Sequence, residues 1–134
     1  MKQFYILLGL IIIFSNGCKE VDSKGVVKLV TVEELKELEA LRDVQLIDIR
    51  TPEEYESGYI KGYRNMDYLS DTFKVEIVAL DKSKPIVIYC RSGGRSGRCA
   101  SMMLEIGFKE IYDLDGGIIQ WKAEDNPLVV NSEN

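Results

Sequence analysis

Pro85-Ile86-Val87-Ile88-Tyr89 is apolar at successive positions, with no polar residue in alternate places. A strand of this kind has no face to offer to water. It reads as a central strand of a parallel sheet covered on both sides. Cys90-Arg91-Ser92-Gly93-Gly94-Arg95-Ser96 follows directly, and Gly97 to Ile106 reads as a helix. Cys90 therefore ends a central strand, on a loop that feeds a helix amino terminus. Open α/β sheets place ligands at that end of their strands. Loop N–H groups converge on one point there, and the helix end adds partial positive charge. Such surroundings lower a thiol's pKa and attract anions. Gly93 and Gly94 let the backbone adopt positive φ and approach closely. Arg91 and Arg95 add charge complementary to an anion. A lone cysteine after an apolar strand is commonly inert core. The combination of cysteine, paired glycines, two arginines and a helix start instead points to a nucleophile in an anion-binding cradle. Cys90 is the expected nucleophile. Arg91, Ser92, Gly93, Gly94, Arg95 and Ser96 are the expected binding residues, with Ser96 also capping the helix.

The flanking sequence alternates strands and helices. Val26 to Val30 reads as a strand. Thr31-Val32-Glu33-Glu34 is a capping box that opens a helix with Leu35, Leu38 and Leu41 on one face. Gln45 to Asp48 is the next strand. Thr51-Pro52-Glu53-Glu54 is a second capping box, with proline at the first helical position. Arg64 to Met66 reads as a brief strand, and Leu69, Phe73, Ile77 and Leu80 form a helical stripe. Ile111 to Leu114 is a fifth strand. Gly116-Gly117 turns into a last short helix, Gly117 to Ala123, with Trp121 in the core. This alternation implies an α/β fold with a parallel sheet, and 134 residues make one domain. Asp48, Arg50 and Glu54 read as structural, with Arg50 pairing to Glu54 at the helix start. Cys99 reads as core.

Composition narrows the chemistry. The net charge of −5 argues against nucleic-acid binding. The basic loop is a local exception that suits a small anion. The chain has no histidine, which excludes a Ser-His-Asp triad, a Cys-His dyad and a histidine metal site. Cys18, Cys90 and Cys99 have neither metal-ligand spacing nor a disulfide framework. No metal and no cofactor are expected.

The amino terminus has the layout of an export signal. Met1-Lys2-Gln3 carries a positive charge, Phe4 to Phe14 is apolar, and Ser15-Asn16-Gly17-Cys18 follows. The apolar run is too short to span a bilayer comfortably. Ser15-Asn16-Gly17-Cys18 resembles the lipobox of bacterial lipoproteins, although Ser15 stands where that family has an aliphatic residue. The resemblance implies lipidation of Cys18 and a membrane anchor at a bacterial cell envelope. Ordinary cleavage to a periplasmic protein is the alternative. The expected organisation is a signal peptide over 1–17, a polar tether over 18–25 and a domain over 26–134.

Tyr89-Cys90-Arg91-Ser92-Gly93-Gly94-Arg95-Ser96 resembles the active-site loop of rhodanese-type sulfurtransferases. Asp48-Ile49-Arg50-Thr51-Pro52-Glu53-Glu54-Tyr55, continuing to Gly58-Tyr59-Ile60-Lys61-Gly62, resembles that family's early signature. Leu114-Asp115-Gly116-Gly117-Ile118 with Trp121 resembles its closing one. The likeness runs from about Val26 to Leu128. It implies the rhodanese-like fold, a five-stranded, mostly parallel sheet flanked by helices. It also implies a Cys90 persulfide, a small anionic donor such as thiosulfate, and cyanide or a thiol as acceptor. A protein donor or acceptor is compatible with the same chemistry. Asp48, Arg50 and Glu54 are placed by the resemblance beside the active loop. Tyr59, Lys61 and Tyr63 stand where the family commonly has histidine, proline and a small residue. The rival readings are a cysteine-dependent phosphatase or arsenate reductase and a non-catalytic interaction module. Many of those enzymes carry arginine at the sixth position after the cysteine, where this chain has Ser96.

Overall fold

The structure is a computed structural model that describes residues 24–131. The export signal over 1–17, Cys18, and the tether up to Ser23 lie outside the described residues. The chain runs β1 (Val26–Val30), α1 (Val32–Leu41), β2 (Gln45–Asp48), α2 (Pro52–Glu56), β3 (Arg64–Asn65), α3 (Phe73–Val78), β4 (Ile86–Tyr89), α4 (Gly94–Glu105), β5 (Glu110–Leu114) and α5 (Gly117–Ala123). The sheet order is β1-β5-β4-β2-β3. Every pairing between these strands is parallel. The sheet is thus all-parallel where a mostly parallel one was expected. β4 lies in the middle, between β5 and β2.

Both capping boxes form. Thr31 Oγ1 accepts from the Glu34 N–H at 3.2 Å, and the Thr31 N–H donates to Glu34 Oε2 at 2.8 Å. Thr51 and Glu54 repeat the arrangement at 3.3 and 3.1 Å. Each box satisfies N–H groups that a helix start leaves free.

The alternation of strand side chains divides the core in two. Ile86, Ile88 and Cys90 point to the face covered by Phe73 and Ile77 of α3 and by Cys99, Ala100 and Met103 of α4. Val87 and Tyr89 point to the other face, against Val32 and Leu35 of α1 and Ile118 and Trp121 of α5. Ile86, Val87, Ile88 and Tyr89 are all fully buried. Each such side chain stabilises the fold by about 1.5–3 kcal/mol relative to exposure. The uninterrupted apolar run is therefore a consequence of two covered faces.

Several boundaries differ from the sequence reading. α4 begins at Gly94 rather than Gly97, because Gly93 takes the left-handed conformation, φ 110°, and serves as the cap residue. Ser96 lies inside the first turn, so it is not the cap. β3 stops at Asn65, since it pairs only with Ile47 and Asp48 of β2. The third helix starts at Phe73. Leu69 sits in a preceding turn and is exposed, so the apolar stripe buries only from Phe73 onward.

Candidate active site

β4 delivers Cys90 to its carboxyl end, where the side chain is almost wholly buried. The loop then turns over the sulfur. The Gly93 N–H donates to Cys90 Sγ at 3.1 Å and the Ser96 N–H at 3.4 Å. The thiol lies 3.4 Å from Ser96 Oγ and donates to it. Burial pushes the Cys90 pKa up. The Ser96 hydroxyl and the N–H groups of Ser96, Gly93 and Ser92 outweigh it and hold the thiol below its ordinary value. Positive φ at Gly93 is what aims its N–H at the sulfur, and a side chain there would be strained.

The loop is held from behind by α5. The Ile118 N–H donates to the Cys90 carbonyl at 3.0 Å, and the Ile119 N–H to the Arg91 carbonyl at 3.2 Å. Gly117, at φ 59°, makes this approach feasible. A Cβ there would lie 2.5 Å from the Cys90 carbonyl oxygen and 2.6 Å from that of Arg91. Sequence reasoning gave the Gly116-Gly117 pair a turn and missed its contact with the nucleophile's own backbone.

A buried ion pair supports the neighbouring strand end. Arg50 Nη2 donates to Asp48 Oδ2 at 2.7 Å and to the Gly58 carbonyl at 2.8 Å, and Arg50 Nε also donates to Asp48. Tyr89, next to Cys90, donates its hydroxyl to Asp48 and accepts from the Ile60 N–H. The network ties β2, β4 and the segment after α2 into one unit. Both ions are desolvated and each meets more than one partner, as a buried pair requires. The expected Arg50–Glu54 pair is absent. Asp48 lies on the same strand end and meets the Arg50 fork directly, which leaves Glu54 for another cation.

That cation is Arg95. Its two terminal nitrogens each contact one oxygen of Glu54 at 2.7 Å. The Arg95 hydrogen bond is the main cause that holds the Glu54 carboxyl down at about 2. Arg95, an expected binding residue, has its fork engaged by Glu54, which joins α4 to α2. Arg91 is exposed at the loop. Arg98, one turn further along α4, is also exposed, and sequence reasoning passed over it. The signal was its spacing from Gly94: a Cβ on Gly94 would lie 3.9 Å from Arg98 Nη1.

Cys99 is fully buried beside Met103 Sδ at 3.7 Å. Burial, with smaller contributions from Asp113 and Cys90, pushes its thiol up to about 12. It remains a protonated core thiol. Asp113 was missed as well. It is buried on β5, and its Oδ1 has no hydrogen-bond partner among the described residues. The one hint in the sequence was its place two residues after Ile111, hence on the same face of the strand, which does not tell burial from exposure.

Comparison with known proteins identifies the family. The model of the rhodanese-like domain matches residues 31–124. The uncharacterized protein YqhL of Bacillus subtilis (strain 168) is 38% identical over 96 residues, covering 72% of this chain and 73% of its own. The thiosulfate sulfurtransferase GlpE of Pseudomonas paraeruginosa is 35% identical over 79 residues, covering 59% of this chain and 70% of its own. The crystal structure of a rhodanese-like domain protein from Staphylococcus aureus superposes with a TM-score of 0.65 at 30% identity, covering 78% of this chain and 99% of that one. By sequence match and by fold, this chain belongs to the rhodanese-like domain family.

Proposed function

We propose that the protein is a sulfurtransferase that moves a sulfane sulfur through a persulfide on Cys90. The observation that carries the reading is the convergence of the Gly93 and Ser96 N–H groups on one buried sulfur, with the Ser96 hydroxyl beside it. These donors favour a thiolate in a chain with no histidine to act as base. The thiolate attacks the outer sulfur of thiosulfate. A Cys90 S–S bond forms, the thiosulfate S–S bond breaks, and sulfite leaves with its electron pair. An acceptor nucleophile, cyanide or a thiolate, then attacks the terminal sulfur and Cys90 leaves as thiolate. The same donors stabilise the thiolate at both ends of the cycle. The similarity to a protein named thiosulfate sulfurtransferase supports this donor class. The engagement of Arg95 by Glu54 weighs against a phosphatase, which needs a free arginine over its oxyanion. The amino-terminal sequence adds a location to the proposal: export, and attachment to a membrane through a lipid on Cys18.

The test is the intact mass of the full chain after incubation with thiosulfate, with peptide mapping. The expected result is a gain of one sulfur atom on Cys90, lost on adding cyanide as thiocyanate appears. A chain that gains no sulfur but hydrolyses aryl phosphates would overturn the reading.

A further inference from the structure

The Ser96 hydroxyl donates to the Gly93 carbonyl and accepts from the Cys90 thiol. Cys90 Sγ lies 3.4 Å from Ser96 Oγ, and the Gly93 carbonyl oxygen lies 3.2 Å from it. A third group, the carboxyl of Asp113, lies on the sheet face beneath α4. This residue is 3% exposed, and its Oδ1 has no hydrogen-bond partner among the described residues. Its Cα partner on β4 is Ile88, which places it on the face that also holds Cys90, beneath α4. An acidic side chain with an unmet oxygen is costly to bury. Burial accordingly pushes Asp113 up to about 6, while the Ser96 hydroxyl draws it down and Asp115 pushes it up. The titratable groups bearing on this carboxyl are Cys99 on α4 and Asp115 just beyond β5, with the Cys90 sulfur reached through Ser96. On β1 its Cα partner is Leu29, which carries no charge.

We propose that Asp113 is a positioning residue for Cys90, directing the Ser96 hydroxyl proton away from the sulfur when ionised and toward it when protonated. An ionised carboxylate accepts from Ser96, so the thiolate loses a donor and gains a negative neighbour. A protonated carboxyl donates to Ser96 Oγ, which leaves the serine's own proton for Cys90. Cys90 and Asp113 then titrate as a linked pair through one hydroxyl. This inference rests on Cys90 being the nucleophile of the proposed function. It sets how much of that nucleophile is thiolate at neutral pH.

Asp113→Asn tests it. Asparagine has the same shape, carries no charge and can donate to Ser96 Oγ permanently. The measurement is the rate of Cys90 alkylation by iodoacetamide against pH, in the full chain, read by the mass of the Cys90 peptide. Wild type and variant are compared with matched thermal melts. The expected result is alkylation about tenfold faster near pH 7 in Asp113→Asn, equivalent to one pKa unit. In a Ser96→Ala background the same substitution should change the rate by less than about twofold. Asp113→Ala, which removes the charge but donates nothing, should give a smaller gain, and it serves equally if the asparagine variant does not fold. Equal rates in the wild type and a folded Asp113 variant overturn the proposal. A gain that survives undiminished without Ser96 also overturns it, since the charge would then act directly. Alkylation reads the thiolate without any sulfur transfer. A Cys90 that alkylates normally but takes no sulfur from thiosulfate sinks the proposed function alone.

Discussion

Arg95 and Glu54 form a two-point ion pair, 2.7 Å at each contact, that bridges the first turns of α4 and α2. One partner belongs to the cysteine loop and the other to a capping box. The pair links the two elements whose amino termini lie at the same end of the sheet.

Glu54→Gln should make the fold less sensitive to acid. The folded-state pKa of Glu54, about 2, lies below its ordinary value of 4.5. A depressed carboxyl contributes stability that is present above the unfolded pKa and lost as pH falls through the folded one. The loss therefore falls between about pH 4.5 and pH 2. The pair is partly exposed, so its worth at neutral pH is about 1 kcal/mol or less. Urea unfolding at pH 7 and at pH 3 checks this. The wild-type advantage over the glutamine variant should shrink at the lower pH.

Cys90→Ser should retain the fold and lose sulfur transfer completely. Serine is close in volume, and its hydroxyl forms no persulfide. Cys99→Ala should keep most turnover, because that thiol is buried and protonated, while losing some stability to a small cavity. Thiosulfate:cyanide turnover and thermal melts of both variants separate the two roles. Substantial turnover in Cys90→Ser would remove that residue from the mechanism.

Arg91→Ala should lower kcat/KM for thiosulfate by roughly tenfold, or about 1.4 kcal/mol. Alkylation of Cys90 by a neutral reagent should stay near the wild-type rate, since the backbone donors remain. Arg95→Ala should instead destabilise the domain through the orphaned Glu54. An unchanged thiosulfate parameter in Arg91→Ala would mean that its side chain is merely solvated.

Gly117→Ala should damage both stability and turnover, although it adds only a single methyl group. Positive φ alone costs alanine more than about 1 kcal/mol here. The methyl must also displace the carbonyls of Cys90 and Arg91. Gly97→Ala is the matched control, because a Cβ there meets nothing within 4 Å. A melt and a turnover assay on both variants decide the matter: equal behaviour would dismiss the clamp.

Cys18→Ala should release the protein from membranes or block its processing. Fractionation of cells expressing the full chain, with mass analysis of the mature amino terminus, reads the outcome. An unacylated wild-type form cleaved elsewhere would defeat the anchor and leave only an export signal.

Much of the fold was legible because periodicity and caps are local. Ile86 to Tyr89 announced a strand with two covered faces, and Thr31 and Thr51 announced two helix starts. Cys90 was legible for the same reason, since strand, cysteine, glycines and helix adjoin in sequence. The partners of the arginines were not. Arg50 chose Asp48 over Glu54, and Arg95 met Glu54, through distances that only the assembled sheet defines. Asp113 stayed hidden because a single acidic residue in a short strand looks the same whether it faces solvent or the underside of a reactive loop.

The N–H groups of Ile118 and Ile119 that hold the Cys90 and Arg91 carbonyls come from a helix that follows β5 in the chain. During synthesis the cysteine and its loop leave the ribosome before that helix exists. Until α5 emerges, the loop lacks the contact that fixes its curvature. A nascent chain therefore exposes its thiol before the contact that holds the loop can form. A chain stopped short of Gly117 would retain every residue of the cradle and still lack the part that closes it.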